Sequence, residues 1–117
     1  MKKILIVLFA ISPFLGMAQK KKKEIVRESF EVNGVCGMCK SRIEKAAFSI
    51  KGVKSATWDI PTHQFTVLYD KNRLSIDQLH EVIAKVGHDT PKAKAADEVY
   101  DALPMCCLYD REKDNEQ

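Results

Sequence analysis

Residues 24–32 alternate: Val26, Phe30 and Val32 fall on one face and Arg27, Ser29 and Glu31 on the other. That period of two predicts a strand, although Glu28 interrupts its apolar face. The period then changes. Cys39, Ile43, Ala46, Ala47 and Ile50 recur at helical spacing, and Gly52 stops the pattern. Residues 54–60 alternate again with Ala56, Trp58 and Ile60 inward, Pro61-Thr62-His63 makes a turn, and residues 64–69 return with Phe65, Val67 and Tyr69 inward. A hairpin follows from that pattern. Ser75 is a good N-cap for a second helix, whose Ile76, Leu79, Ile83 and Val86 form one stripe before Gly87. Residues 88–94 are short and polar, and Pro91 restricts them to an edge strand.

The order is β-α-β-β-α-β, the ferredoxin-like pattern of an α+β fold. Right-handed crossovers predict an antiparallel sheet ordered 4-1-3-2 with both helices on one face. Trp58 and the hairpin aromatics are then core residues. Residues 95–103 read as a further short helix with Ala96, Val99, Tyr100 and Leu103 on one side, closed by Pro104.

The ends have a different character. Residues 1–18 have a short basic start, Met1-Lys2-Lys3, then an apolar run, then Gly16-Met17-Ala18 at the cleavage positions. They read as a secretory signal, too short for a spanning helix. The expected organisation is therefore a leader at 1–18, a basic arm at 19–23, one domain at 24–94, and an extension at 95–117 carrying a cysteine pair and an acidic tail. An exported, periplasmic or secreted, chain is the expectation, with no membrane span once the leader is removed.

Losing Lys2 and Lys3 from the 19 basic residues leaves 17 against 16 acidic, a net of +1. That balance argues against nucleic acid as a partner. Of the acids, seven lie from Asp97 onward against Arg111 and Lys113, so the tail is acidic and the body basic. The four cysteines are a C-x-x-C, Cys36 and Cys39, and an adjacent Cys106-Cys107. Such spacing is poor for bracing a fold with disulfides and points to function.

Cys36 and Cys39 lie where the first strand, after Asn33-Gly34, gives way to the first helix. Helical N–H groups and the dipole's positive end favour a thiolate at Cys39, and Lys40 and Arg42 add positive charge. Cys36, on the loop, is the accessible thiol; Cys39 heads the core-facing stripe. The topology gathers this loop, the turn at 61–63 and Gly87-His88 at one end of the sheet. His88 is thereby a candidate third ligand or a group that tunes the thiols. His63, on the far-edge strand, is a weaker candidate, and His80 reads as a surface residue.

A C-x-x-C between a first strand and first helix in this order resembles the heavy-metal-associated domain family, the module of copper chaperones, metal-transport ATPase N-termini and the periplasmic mercury-binding protein. The resemblance covers about residues 24–94. It implies that Cys36 and Cys39 are metal ligands, with His88, Cys106 and Cys107 as candidate additions. One departure stands out: the family usually has Gly-Met two residues before its first cysteine, and here Asn33-Gly34 occupy those places.

Two function classes follow. The first is a non-enzymatic carrier or sequestering protein for a soft ion, Cu(I) preferred, with Hg(II) or Zn(II) as alternatives. Its expected partners are a metal-transport ATPase, an efflux component or another metal-handling protein. The second is a thiol–disulfide oxidoreductase using the same pair. No Ser/His/Asp set, phosphate-binding glycine loop or paired catalytic carboxylates stand out in the sequence. The tail is expected to bring Cys106 and Cys107 back to the C-x-x-C end, since a short helix nearly matches the length of the strand before it.

Overall fold

A computed structural model of the chain describes residues 22–111. The expected leader, most of the basic arm and the end of the acidic tail lie outside the described residues. Within them the chain runs β1 (Ile25–Glu31), α1 (Gly37–Phe48), β2 (Val53–Trp58), β3 (Gln64–Asp70), α2 (Ile76–Lys85) and α3 (Asp97–Asp101), then a 3-10 turn, Met105–Cys107. Among the described residues no helix is long and apolar enough to cross a membrane.

The sheet is antiparallel in the order β1-β3-β2. Phe30 and Trp58 both stand opposite Phe65, which fixes the inward face of all three strands at once. Glu28, the acid on the apolar face of β1, is accommodated because the Tyr69 hydroxyl donates to its carboxylate. The inward residues meet Cys39, Ile43 and Ala47 of α1 and Leu79 and Ile83 of α2 in one core. Each fully buried aliphatic side chain there contributes about 1.5–3 kcal/mol. Helix α2 starts with a reciprocal capping box: Ser75 accepts from the Gln78 amide, and the Gln78 side chain accepts from the Ser75 amide. It ends at Gly87, whose φ of +109° only glycine adopts without strain.

Three expectations are corrected. Ile60 does not face inward: β2 ends at Trp58 and Ile60 is exposed. Residues 88–94 form no fourth strand, so the order 4-1-3-2 is reduced to its three paired members. Thr90 is the cause. Its amide donates to the Ala93 carbonyl (2.8 Å), and its hydroxyl accepts from the amides of Ala93 (3.1 Å) and Lys92 (3.3 Å), curling the segment into a turn at Pro91. One strand-like bond survives, from the Asn33 amide to the Asp89 carbonyl (3.0 Å). His80 is not a surface residue either. It is buried, bonded through Nδ1 to the Thr90 hydroxyl (2.6 Å) and stacked 3.8 Å from the Phe30 ring. Burial lowers its pKa below the ordinary value, as desolvation of a cation requires.

The extension packs on this unit as well. The helix predicted over 95–103 is shorter, Asp97–Asp101, and Leu103, Cys107 and Tyr109 join the core cluster.

Candidate metal centre

The cysteine loop is held from below by backbone. The Trp58 indole N–H donates to the carbonyls of Val32 (3.0 Å) and His63 (3.1 Å), tying the end of β1 to the hairpin turn. Gly34 rests directly on that ring: a Cβ there would lie 2.9 Å from Trp58 Cη2 and 3.2 Å from Cys39 Cβ. Asn33 is clasped on both sides, its amide by Asp89 and its carbonyl by His88 Nδ1 at 2.8 Å. Asn33-Gly34 thus anchors the loop through main-chain bonds and close approach, without a methionine beneath it.

Cys36 is the N-cap of α1, and Cys39 lies one turn in. This reverses the expected electrostatics. The amide of Cys39 chiefly, and that of Met38, lower the Cys36 pKa to about 7, against opposing desolvation, with Cys106 and Cys107 contributing. Burial instead pushes Cys39 up to about 11, with the nearby Cys107 adding to the effect. Cys36, half-buried, is the thiol poised as thiolate; Cys39, fully buried, is the one held protonated. Their sulfurs are 3.9 Å apart.

The tail brings two more sulfurs. Cys107 Sγ is 3.9 Å from Cys36 Sγ and 3.9 Å from Cys106 Sγ, and the sulfurs of Cys36, Cys106 and Cys107 all lie within 4.8 Å of one another. Cys106 also lies 3.3 Å from the Met38 thioether, at the exposed rim. Of the two predicted cations, Lys40 is engaged elsewhere, with Glu44 (2.6 Å) and the Trp58 carbonyl (3.0 Å). Arg42 does face the sulfurs: Nη1 donates to Cys107 Sγ at 3.3 Å.

His88 is fully buried behind this cluster. Nδ1 bonds the Asn33 carbonyl and must carry the proton there, leaving Nε2 to accept from Arg42 Nη1 (3.4 Å). Desolvation holds the ring neutral, lowering its pKa, and Arg42 acts in the same direction against the Asn33 bond. The structure therefore does not bring His88 into the sulfur cluster; it positions Arg42 and the loop. His63 stacks on Trp58 at 5.5 Å, with φ of +61°, and serves the turn. Tyr109, which sequence reasoning missed, packs against the His88 ring at 5.6 Å, donates to the Gly87 carbonyl (2.7 Å) and accepts from the Asp89 amide (3.0 Å). No periodic signal marks it; an aromatic residue just after a cysteine pair was the available hint.

A βαββα module with a thiol-bearing loop at one end of its sheet is thus a small soft-ligand scaffold. The heavy-metal-associated domain model matches residues 29–89, and the chain belongs to that family. The copper chaperone CopZ of Staphylococcus haemolyticus (strain JCSC1435) is 35% identical over 66 residues, covering 56% of this chain and 97% of the chaperone. A copper-exporting P-type ATPase of the same organism is 32% identical over 94 residues, 77% of this chain but 12% of the ATPase. Among solved structures, a CopZ metallochaperone superposes with a TM-score of 0.54 at 35% identity, covering 56% of this chain and 98% of its own. The N-terminal soluble domains of Bacillus subtilis CopA give 0.54 at 29%, covering 57% and 46%. Cys106 and Cys107 lie beyond the family match.

Proposed function

We propose that this protein carries or sequesters Cu(I) through the Cys36–Cys39 thiolate pair, outside the cytoplasm, and that it does so without catalysing a reaction. The observation that carries the reading is Cys36 itself: an accessible thiol at a helix N-cap with a second sulfur 3.9 Å away. Thiolates without a neighbouring carboxylate suit soft d10 ions, and two of them satisfy Cu(I) or Hg(II), whereas Zn(II) wants four donors. The similarity to copper chaperones and to the N-terminal domains of copper-transporting ATPases supports Cu(I) as cargo and an ATPase or efflux component as donor or acceptor. The leader-like residues 1–18 support export.

The test is Cu(I) competition against a chromophoric chelator under reducing, anaerobic conditions, with the full chain and with Cys36→Ser. One equivalent held tightly by the wild type and lost in the variant is expected. Preference for Hg(II) or Zn(II) over Cu(I) would replace the cargo, and insulin reduction at a catalytic rate would replace the class. N-terminal sequencing of the chain recovered from its own compartment tests processing near Ala18.

A further inference from the structure

We propose that the C-terminal segment completes the metal centre: Cys106 and Cys107 join Cys36 as a three-thiolate site for a single soft d10 ion. This rests on the reading of Cys36 as a metal-binding thiolate and adds to it both the coordination number and a second set of partners. Cys39 is as close to Cys36 as Cys107 is, at 3.9 Å, but stands outside the set of sulfurs that all lie within 4.8 Å of one another. With metal–sulfur bonds of about 2.3 Å, a trigonal site sets its sulfurs about 4.0 Å apart and a linear pair sets them about 4.6 Å apart. The Cys36–Cys107 and Cys106–Cys107 separations are both 3.9 Å, and the third edge closes within 4.8 Å. Adjacent cysteines rarely share an ion in extended backbone, because their side chains diverge. Here, in the 3-10 turn Met105–Cys107, the two sulfurs nonetheless lie 3.9 Å apart.

The segment is held in place by contacts that have nothing to do with sulfur. Leu103 covers Gly87, so closely that a Cβ on the glycine would meet Leu103 Cδ2 at 2.8 Å. The Tyr109 hydroxyl bridges Gly87 and Asp89. Arg111 grips both oxygens of Asp89, at 2.9 and 3.0 Å, and reaches Asp97 and the Ala95 carbonyl. Cys107 is consequently pre-positioned and fully buried against α1, and Arg42 supplies the positive charge that offsets a trithiolate around a monovalent ion.

Cys36 is then the corner common to two sets. With the tail docked, it shares the ion with Cys106 and Cys107. With the tail displaced, it shares the ion with Cys39 in the two-thiolate form that a partner's cysteines can attack. Moving between them exchanges sulfurs on the ion with no change of oxidation state. Docked, the chain retains copper; undocked, it releases it.

The experiment loads the full chain anaerobically with one equivalent of Cu(I) and measures the sulfur coordination number by X-ray absorption, beside chelator competition. Three sulfurs are expected for the wild type and for Cys39→Ser. Two are expected for Cys107→Ser and for Cys106→Ser, with an affinity loss of about tenfold or more. Cys106 is exposed, so that variant keeps the fold even where Cys107→Ser does not. Two sulfurs in the wild type, unchanged by Cys106→Ser, overturn the inference while leaving the proposed function standing. Three sulfurs traced to a metal-bridged dimer by its mass overturn it as well. Failure of the wild type to hold Cu(I) at all overturns the function and this inference together.

Discussion

The two ends of the sheet are closed by opposite kinds of chemistry. Where β3 finishes, Asp70 is buried: its Oδ1 accepts from the amides of Glu24 (3.1 Å) and Asn72 (3.0 Å), and its own amide donates to Gly52 (2.8 Å). Hard oxygen acceptors there are taken up by backbone donors and by Arg73, 3.7 Å from the second carboxylate oxygen. Where β1 finishes, the backbone is likewise satisfied, by Trp58, His88 and Asp89, but sulfurs are set above it. Thiols are weak hydrogen-bonding groups, so contacts at 3.9 Å add little and are given up readily to a metal. One end is spent on stability; the other is kept exchangeable.

Variants can sharpen that contrast, in decreasing order of effect. Cys36→Ser should lower Cu(I) affinity by about 100-fold, roughly 3 kcal/mol, with only a small change in melting temperature, because Cys36 is half-buried at the edge of the core and serine is close to it in size. Asp70→Ala should do the reverse. Desolvation opposes its ionisation, but the Glu24 and Asn72 amides and Arg73 prevail and hold its pKa below the usual 3.8. Its contribution is therefore present at neutral pH and lost as pH falls through the depressed native value. The variant should melt several degrees lower at pH 7, with the gap to wild type closing in acid, and its copper affinity should stay at the wild-type value. An altered affinity would mean that the two ends are coupled.

Gly34→Ala sits where the two kinds of closure meet. Its new Cβ would press on Trp58 and Cys39, and overpacking of this kind costs about 1–3 kcal/mol in urea denaturation. Tyr109→Phe should cost less, about 1–2 kcal/mol, by leaving the Asp89 amide and Gly87 carbonyl without their partner. Its sharper readout is Cys107, whose alkylation should become several-fold faster as the tail loosens.

Periodicity carried most of this architecture. The β1 and β3 faces, the α1 stripe from Cys39 to Ala47 and the Ser75 cap are local patterns, and the structure has them. What escaped depended on partners distant in sequence. Residues 88–94 read as a short polar edge strand because of Pro91, yet the Thr90 hydroxyl captured the amides a strand would have offered. That same hydroxyl bonds the inward-turned His80, so one threonine accounts for two of the three corrections. At the site, the spacing of Cys36 and Cys39 was legible, but which thiol receives the helix amides depended on whether α1 begins at Gly37 or at Cys39. That boundary is the least legible feature of any helix.

The covalent attachment of Cys107 to the domain it docks on also fixes who can compete with it. A ligand tethered through a short stretch of chain acts at an effective concentration of about the millimolar range or above. A free small-molecule thiol in solution must reach comparable concentration before it replaces Cys107 beside Cys36. A protein partner escapes that limit if its docking displaces the tail as a unit, whose hold includes the Arg111 grip on the buried Asp89, the residue whose carbonyl also holds the cysteine loop. Copper would then be shielded from the thiol pool yet open to one docked acceptor, a kinetic filter set by a tether.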